Sequence, residues 1–115
     1  MSLKQARFLF ENIMIDGERE VTKVTRIYTA SIDGWKPKDF HRHCDRRGPT
    51  LSLIRSVHNY LAAGFTSISW SSDKDGKDVE DSSAMVFALT NELQAFKSNN
   101  PKQAVWHHKD DGPFF

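Results

Sequence analysis

Residues 84–90 read Ala84-Met85-Val86-Phe87-Ala88-Leu89-Thr90, a nearly continuous apolar run after the polar Asp81-Ser82-Ser83. Such a run is short enough for a strand buried on both faces, and it predicts the centre of a sheet. Upstream, Leu61 to Trp70 (LAAGFTSISW) sets Leu61, Ala63 and Phe65 against smaller or polar partners, after which Ile68 and Trp70 take the opposite parity. That switch predicts a strand with a bulge or bend. Thr50 to Ser56 is β-branched and alternating, and Val57 to Tyr60 reads as the hairpin connection between these two strands.

Working outward, Gln103 to His108 reads as one more short strand, and Phe114-Phe115 after the Asp110-Asp111-Gly112-Pro113 turn reads as the start of another. From Lys23 the pattern has period two, with Val24, Arg26, Tyr28 and Ala30 on one side and Thr25, Ile27 and Thr29 on the other, which predicts a strand. Two helices are expected at the periphery. Leu3 to Ile15 spaces Leu3, Ala6, Phe8, Leu9, Ile13 and Met14 at three and four residues, and Asp16-Gly17 ends it ahead of a charged connection at Glu18 to Glu20. Pro37 opens a short helix in which Phe40 and Cys44, one turn apart, dock inward while the Lys, Arg and His side chains face water. Ser71 to Asp81, polar and carrying Asp75-Gly76, and Asn91 to Pro101 read as surface connections.

A chain of 115 residues fits one domain, and its apolar content suffices for a core. The 16 Lys and Arg nearly cancel the 15 Asp and Glu, so the basic excess of a dedicated nucleic-acid binder is absent. No apolar run approaches the roughly 20 residues that cross a bilayer, which predicts no membrane insertion. With Cys44 as its one cysteine and no long apolar stretch in MSLKQARF, the expectation is a cytoplasmic protein.

Chemistry is not declared by these residues. His41-x-His43-Cys44-Asp45 gathers metal-capable groups, but helical residues two apart point to different sides and no further Cys or His completes a zinc pattern, so no metal is predicted. Cys44 has Arg42, His43, Arg46 and Arg47 nearby to activate a thiolate, yet it sits at a helix C-terminus, where the dipole does not lower a thiol pKa. His107 and His108 fall on opposite faces of a strand and read as a solvated strand end. Neither Ser67 nor Ser69 lies in a nucleophile elbow, no glycine-rich loop cradles phosphate, and Asp81-Ser82-Ser83 reads as a strand-entry turn. No catalytic residue and no cofactor are predicted. The candidate binding residues are Lys74, Asp75, Lys77 and Asp78 of the polar loop and His41 on the short helix.

Ile27 to Trp35 (IYTASIDGW), Phe40 to Asp45 (FHRHCD) and Gly48-Pro49-Thr50-Leu51 together resemble the TLDc domain, in which a strand ending in DGF leads through a short helix ending in Cys to GPTL. Gly64 to Trp70 (GFTSISW), the Asp81 to Leu89 run and Gly112-Pro113-Phe114-Phe115 are similar to later motifs of that family, in the same order. Departures are Asp81-Ser82-Ser83 in place of a glycine-rich, glutamate-bearing approach, and Ala62-Ala63 in place of a bulky residue and a glycine. The resemblance implies a mainly β, α+β fold, an antiparallel two-sheet sandwich with peripheral helices. It further implies a TLDc-like region over 23–115 after an N-terminal helix and connection at 1–22, with the family's C-terminal third lacking. TLDc proteins are associated with resistance to oxidative stress and, in several members, with binding the vacuolar proton pump, the V-ATPase. The resemblance therefore implies a non-enzymatic protein-binding module. The alternative from a different class is a thiol- or metal-dependent redox protein using Cys44 and its neighbouring histidines.

Overall fold

The alternating and apolar runs pair with one another. In a computed structural model that describes residues 1–14 and 21–115, β1 (Thr50–Arg55), β2 (Leu61–Thr66), β4 (Met85–Ala88) and β5 (Gln94–Lys97) form one antiparallel sheet in the order β1-β2-β4-β5. A second antiparallel sheet pairs β3 (Lys77–Val79) with β6 (Val105–His107). Three helices complete the described residues: α1 (Leu3–Met14), α2 (Ala30–Asp33) and α3 (Pro37–Cys44), with one 3-10 turn at Pro101–Gln103. The fold is α+β and mainly β.

Register decides what each face carries. One row crosses the large sheet as Leu53, Ala63, Phe87 and Ala95, and the next as Ser52, Gly64, Val86 and Phe96, facing the other way. The first face, with Phe65 and Met85, meets Leu9 and Ile13 of α1 in a core in which Phe8 packs edge-on to Phe87 with ring centroids 6.2 Å apart. The helix is capped by its own sequence, since Gln5 N–H donates to Ser2 Oγ at 3.1 Å and Ser2 N–H to Gln5 Oε1 at 2.8 Å. Gln5 Nε2 also donates to the Leu89 carbonyl at 2.8 Å, tying α1 to the end of β4.

A second core gathers Phe40 and Cys44 of α3 with Trp70, Ala84, Ala104 and Val105. It reaches the opposite face of the large sheet through Phe115, whose ring lies over Gly64; a Cβ there would fall 2.4 Å from Phe115 Cε2. The inward docking expected of Phe40 and Cys44 is what the structure has.

Several elements differ from the sequence reading. Residues 21–29 form no strand, because a local bond competes with any ladder: the Asp33 carboxylate accepts the Thr29 N–H at 2.8 Å and the chain turns into α2. Ile27 and Tyr28 still pack against the second core, while Val24 is exposed. β4 is interior to its sheet as expected, but it is not buried on both faces: Met85 and Phe87 are buried and Val86 is 41% exposed, since Phe115 covers only the stretch at Gly64. Leu53, at the edge, is half exposed too. β2 ends at Thr66, and the chain bends before Trp70 where the parity switches. Both presumed surface connections contain a strand, β3 in one and β5 in the other, the latter entered through Asn91 at a φ of 65°. Phe114 makes a single bridge to Trp106. The expected turn at Asp16-Gly17 and connection at Glu18 to Glu20 lie outside the described residues.

Asp81 joins these parts. Buried at 4% exposure, its carboxylate accepts from Thr66 Oγ1 (2.6 Å), Ser67 Oγ (2.7 Å), Ser67 N–H (2.8 Å) and Ser83 N–H (2.9 Å). Its own N–H donates to the Pro101 carbonyl at 2.9 Å. Burial alone pushes the carboxyl pKa up, but these hydrogen bonds outweigh it and hold Asp81 below the usual carboxylate range.

Both the core and the Asp81 junction can be tested by stability measurements. Phe87→Ala should cost about 3–5 kcal/mol in denaturant unfolding, as a fully buried phenylalanine does. Asp81→Ala should cost about 3 kcal/mol by stranding its donors. Because the folded carboxyl titrates below its unfolded value, its contribution is complete above about pH 4 and is lost as pH falls through the folded value. The stability gap between the wild type and Asp81→Asn should therefore narrow in acid; a gap that widens below pH 4 would contradict the assignment.

Candidate functional site

α3 begins where Asp39 Oδ2 accepts the Lys36 N–H at 3.2 Å and Pro37 supplies the first helical position. Its inward stripe of Phe40 and Cys44 leaves His41 beside the second core rather than in water, and His41 is 5% exposed. His41 Nδ1 lies 2.7 Å from Asp45 Oδ1, and Nε2 points at the carbonyl oxygens of His108 (2.8 Å) and Asp111 (2.7 Å). Every partner of this ring is an oxygen acceptor. The other Asp45 oxygen accepts the Ser72 hydroxyl, and Arg46 N–H donates to the Trp70 carbonyl at 3.1 Å. The end of α3, the segment after Trp70 and the turn at residues 108–111 are thus held together around Asp45.

Below this cluster, Ser71 Oγ lies 2.8 Å from Nδ1 of His107, which is 2% exposed and packs at a tilt on Trp70. His107 Nε2 is buried without a hydrogen-bond partner among the described residues. Burial, then the nearby Lys77 ammonium, holds the His107 pKa below the ordinary imidazole value, so this ring is neutral at neutral pH. The two residues expected as a solvated strand end do face opposite ways, but His107 is buried because β6 turns it toward the second core with Val105. His108 stacks on Trp106 with ring planes 12° apart.

The five sequence candidates do not form one site. Lys74 and Asp75 lie exposed before Gly76, where φ is 73° and a Cβ would come within 2.3 Å of the Trp106 ring. Lys77 and Asp78 are consecutive in β3 and face opposite sides; Lys77 Nζ lies 3.9 Å from Asp73 Oδ2, and Asp78 Oδ2 accepts from Gln103 Nε2 at 3.2 Å. His41 is buried, a correction to the exposed placement, because its Nε2 faces two backbone carbonyls across the fold and its Nδ1 the Asp45 carboxylate.

Two open grooves flank the Asp45 and Ser72 ridge. One, of about 480 Å3, runs between α3 and residues 109–110, and the other, of about 560 Å3, lies toward Ser71 and Lys77. Sequence reading places Ser71 and Ser72 in the polar loop and Asp45 at the end of the short helix, but does not bring them or His107 together. Only Asp45 had a local signal, its four-residue helical spacing from His41; the others come together through pairing of β3 with β6.

Cys44 is 5% exposed, and burial, with Asp45 next, pushes its thiol up to about 11. It is a protonated, packed thiol at neutral pH, the opposite of an activated nucleophile. Among the described residues no group of three or more His, Cys, Asp and Glu is placed to hold a metal ion. No helix among them is long and apolar enough to cross a membrane.

The family model for the TLDc domain matches residues 1–115. No curated protein matches the chain.

With its thiol raised and buried, Cys44 should react with a disulfide reagent at pH 8 far more slowly in the folded protein than in guanidinium. Equal rates in the two states would restore a reactive-thiol reading.

Proposed function

This chain belongs to the TLDc domain family, and we propose that it acts in the cytoplasm as a non-enzymatic protein-interaction module whose partner is the V-ATPase, contributing to oxidative-stress resistance. The observation that carries the reading is the match of the TLDc family model along the whole chain. Its polar side chains supply support of a second kind. His41 has both nitrogens engaged and Cys44 is a buried, protonated thiol, so neither is placed as a free base or an activated nucleophile. The free cysteine agrees with a reducing compartment.

Recognition is assigned to the segment from Ser71 to Asp78. Its start is fixed by the bonds of Ser71 and Ser72 and its end by pairing of β3, while Lys74 and Asp75 project from the surface between them. A loop pinned at both ends loses little conformational entropy when it docks.

Pull-down from a cell extract should recover pump subunits with the wild-type chain. Charge reversal of Lys74, Asp75, Lys77 and Asp78 together should reduce that recovery without lowering the melting temperature. Recovery of no pump subunit by the folded wild type would remove the V-ATPase from the proposal.

A further inference from the structure

The two grooves beside α3 meet over Asp45 and Ser72, which line both. Lys38, Arg42 and Lys109 border the first, and Arg46 and Lys77 border the second. Against these five cations stand three carboxylates, Asp45, Asp73 and Asp110, leaving an excess of two positive charges in the lining of a chain whose total charge is +1. The carboxylates are committed: Asp45 to His41 and Ser72, Asp73 to Lys77 at 3.9 Å, and Asp110 to Lys109 at 3.3 Å. Lys38, which lines the first groove, and Arg46, which lines the second, have no ion-pair partner among the described residues.

We infer that the paired groove docks an acidic, extended segment of a partner protein, with its carboxylates on Lys38 and Arg46. This rests on the reading of the chain as a protein-interaction module. Lys38 and Arg46 are eight positions apart, with six of those steps helical and two beyond the end of α3, which puts their backbones roughly 9–15 Å apart. An extended segment covers that distance in about four residues, which puts its two acidic side chains on the same face. The three carboxylates in the lining disfavour the continuous charge of a nucleic-acid backbone but leave room for acids spaced to meet the free cations.

The test is fluorescence anisotropy of a labelled oligo-glutamate peptide with the wild type, the Lys38→Glu/Arg46→Glu variant and a Lys4→Glu/Arg7→Glu variant. The last makes the same charge change on exposed positions of α1. The groove variant should bind at least about tenfold more weakly, while the α1 variant should stay within about twofold of wild type. Thermal melts establish that both variants fold. No binding by the wild type, equal weakening in the two variants, or tighter binding of a short oligo-dT would overturn the inference. The same variants in the pump pull-down separate the two readings. Pump recovery that survives Lys38→Glu/Arg46→Glu overturns the groove and leaves the module, whereas groove-dependent peptide binding without pump recovery supports the groove and removes only the pump.

Discussion

A single buried carboxylate holds the fold's seam. Asp81 stands where β2 ends, β4 begins and the 3-10 turn passes, and it draws donors from Thr66, Ser67 and Ser83 while its own N–H reaches Pro101. A buried charge without partners costs several kcal/mol, so the arrangement stands only while those donors stay in place. Among the described residues no cation donates to it; hydroxyl and backbone dipoles stabilise the charge. The two cores lie on opposite faces of the large sheet, and this clamp keeps the strands they share in register.

The second sheet depends on a comparable arrangement centred on the end of α3. His41, Asp45 and Ser72 link α3 to the segment before β3, and His41 also reaches the carbonyls of the turn after β6. Two strands of three residues each would be marginal alone. Here they are braced by His41, through the turn after β6, and by the packing of their own Val79 and Val105 in the core around Trp70. The same bracing makes the grooves, because the ridge between them is Asp45 and Ser72.

What could be read from the sequence was what neighbouring residues determine together. The parity of Leu61, Ala63 and Phe65, the apolar run at 84–90 and the spacing of Phe40 and Cys44 each carry their answer within one element. Residues 23–30 show why that is not enough. Their alternation is genuine, but a strand needs a neighbour, and Asp33 offers Thr29 a closer bond than any ladder does. Val86 was misjudged for a related reason: whether its face is covered depends on where Phe115 lies, many residues away. The site was less legible than the fold. Lys74, Asp75, Lys77 and Asp78 could be found by composition, whereas the burial of His41 and the junction at Asp45 depend on carbonyls at 108 and 111 that no local pattern reveals.

The glycine at 76 gives the chain an optical property. Its three tryptophans occupy distinct surroundings: Trp35 is 80% exposed, Trp70 is 1% exposed, and Trp106 is partly covered, with its ring against Gly76 and its indole N–H on Asp111 at 3.0 Å. Emission from the first should be water-like and from the second shifted to the blue, as their exposures dictate. The third responds to displacement of the Lys74 to Lys77 segment, because nothing but a hydrogen at position 76 separates backbone from indole. The protein therefore carries an intrinsic fluorophore against its candidate recognition loop, and docking there registers as a change in emission without any label.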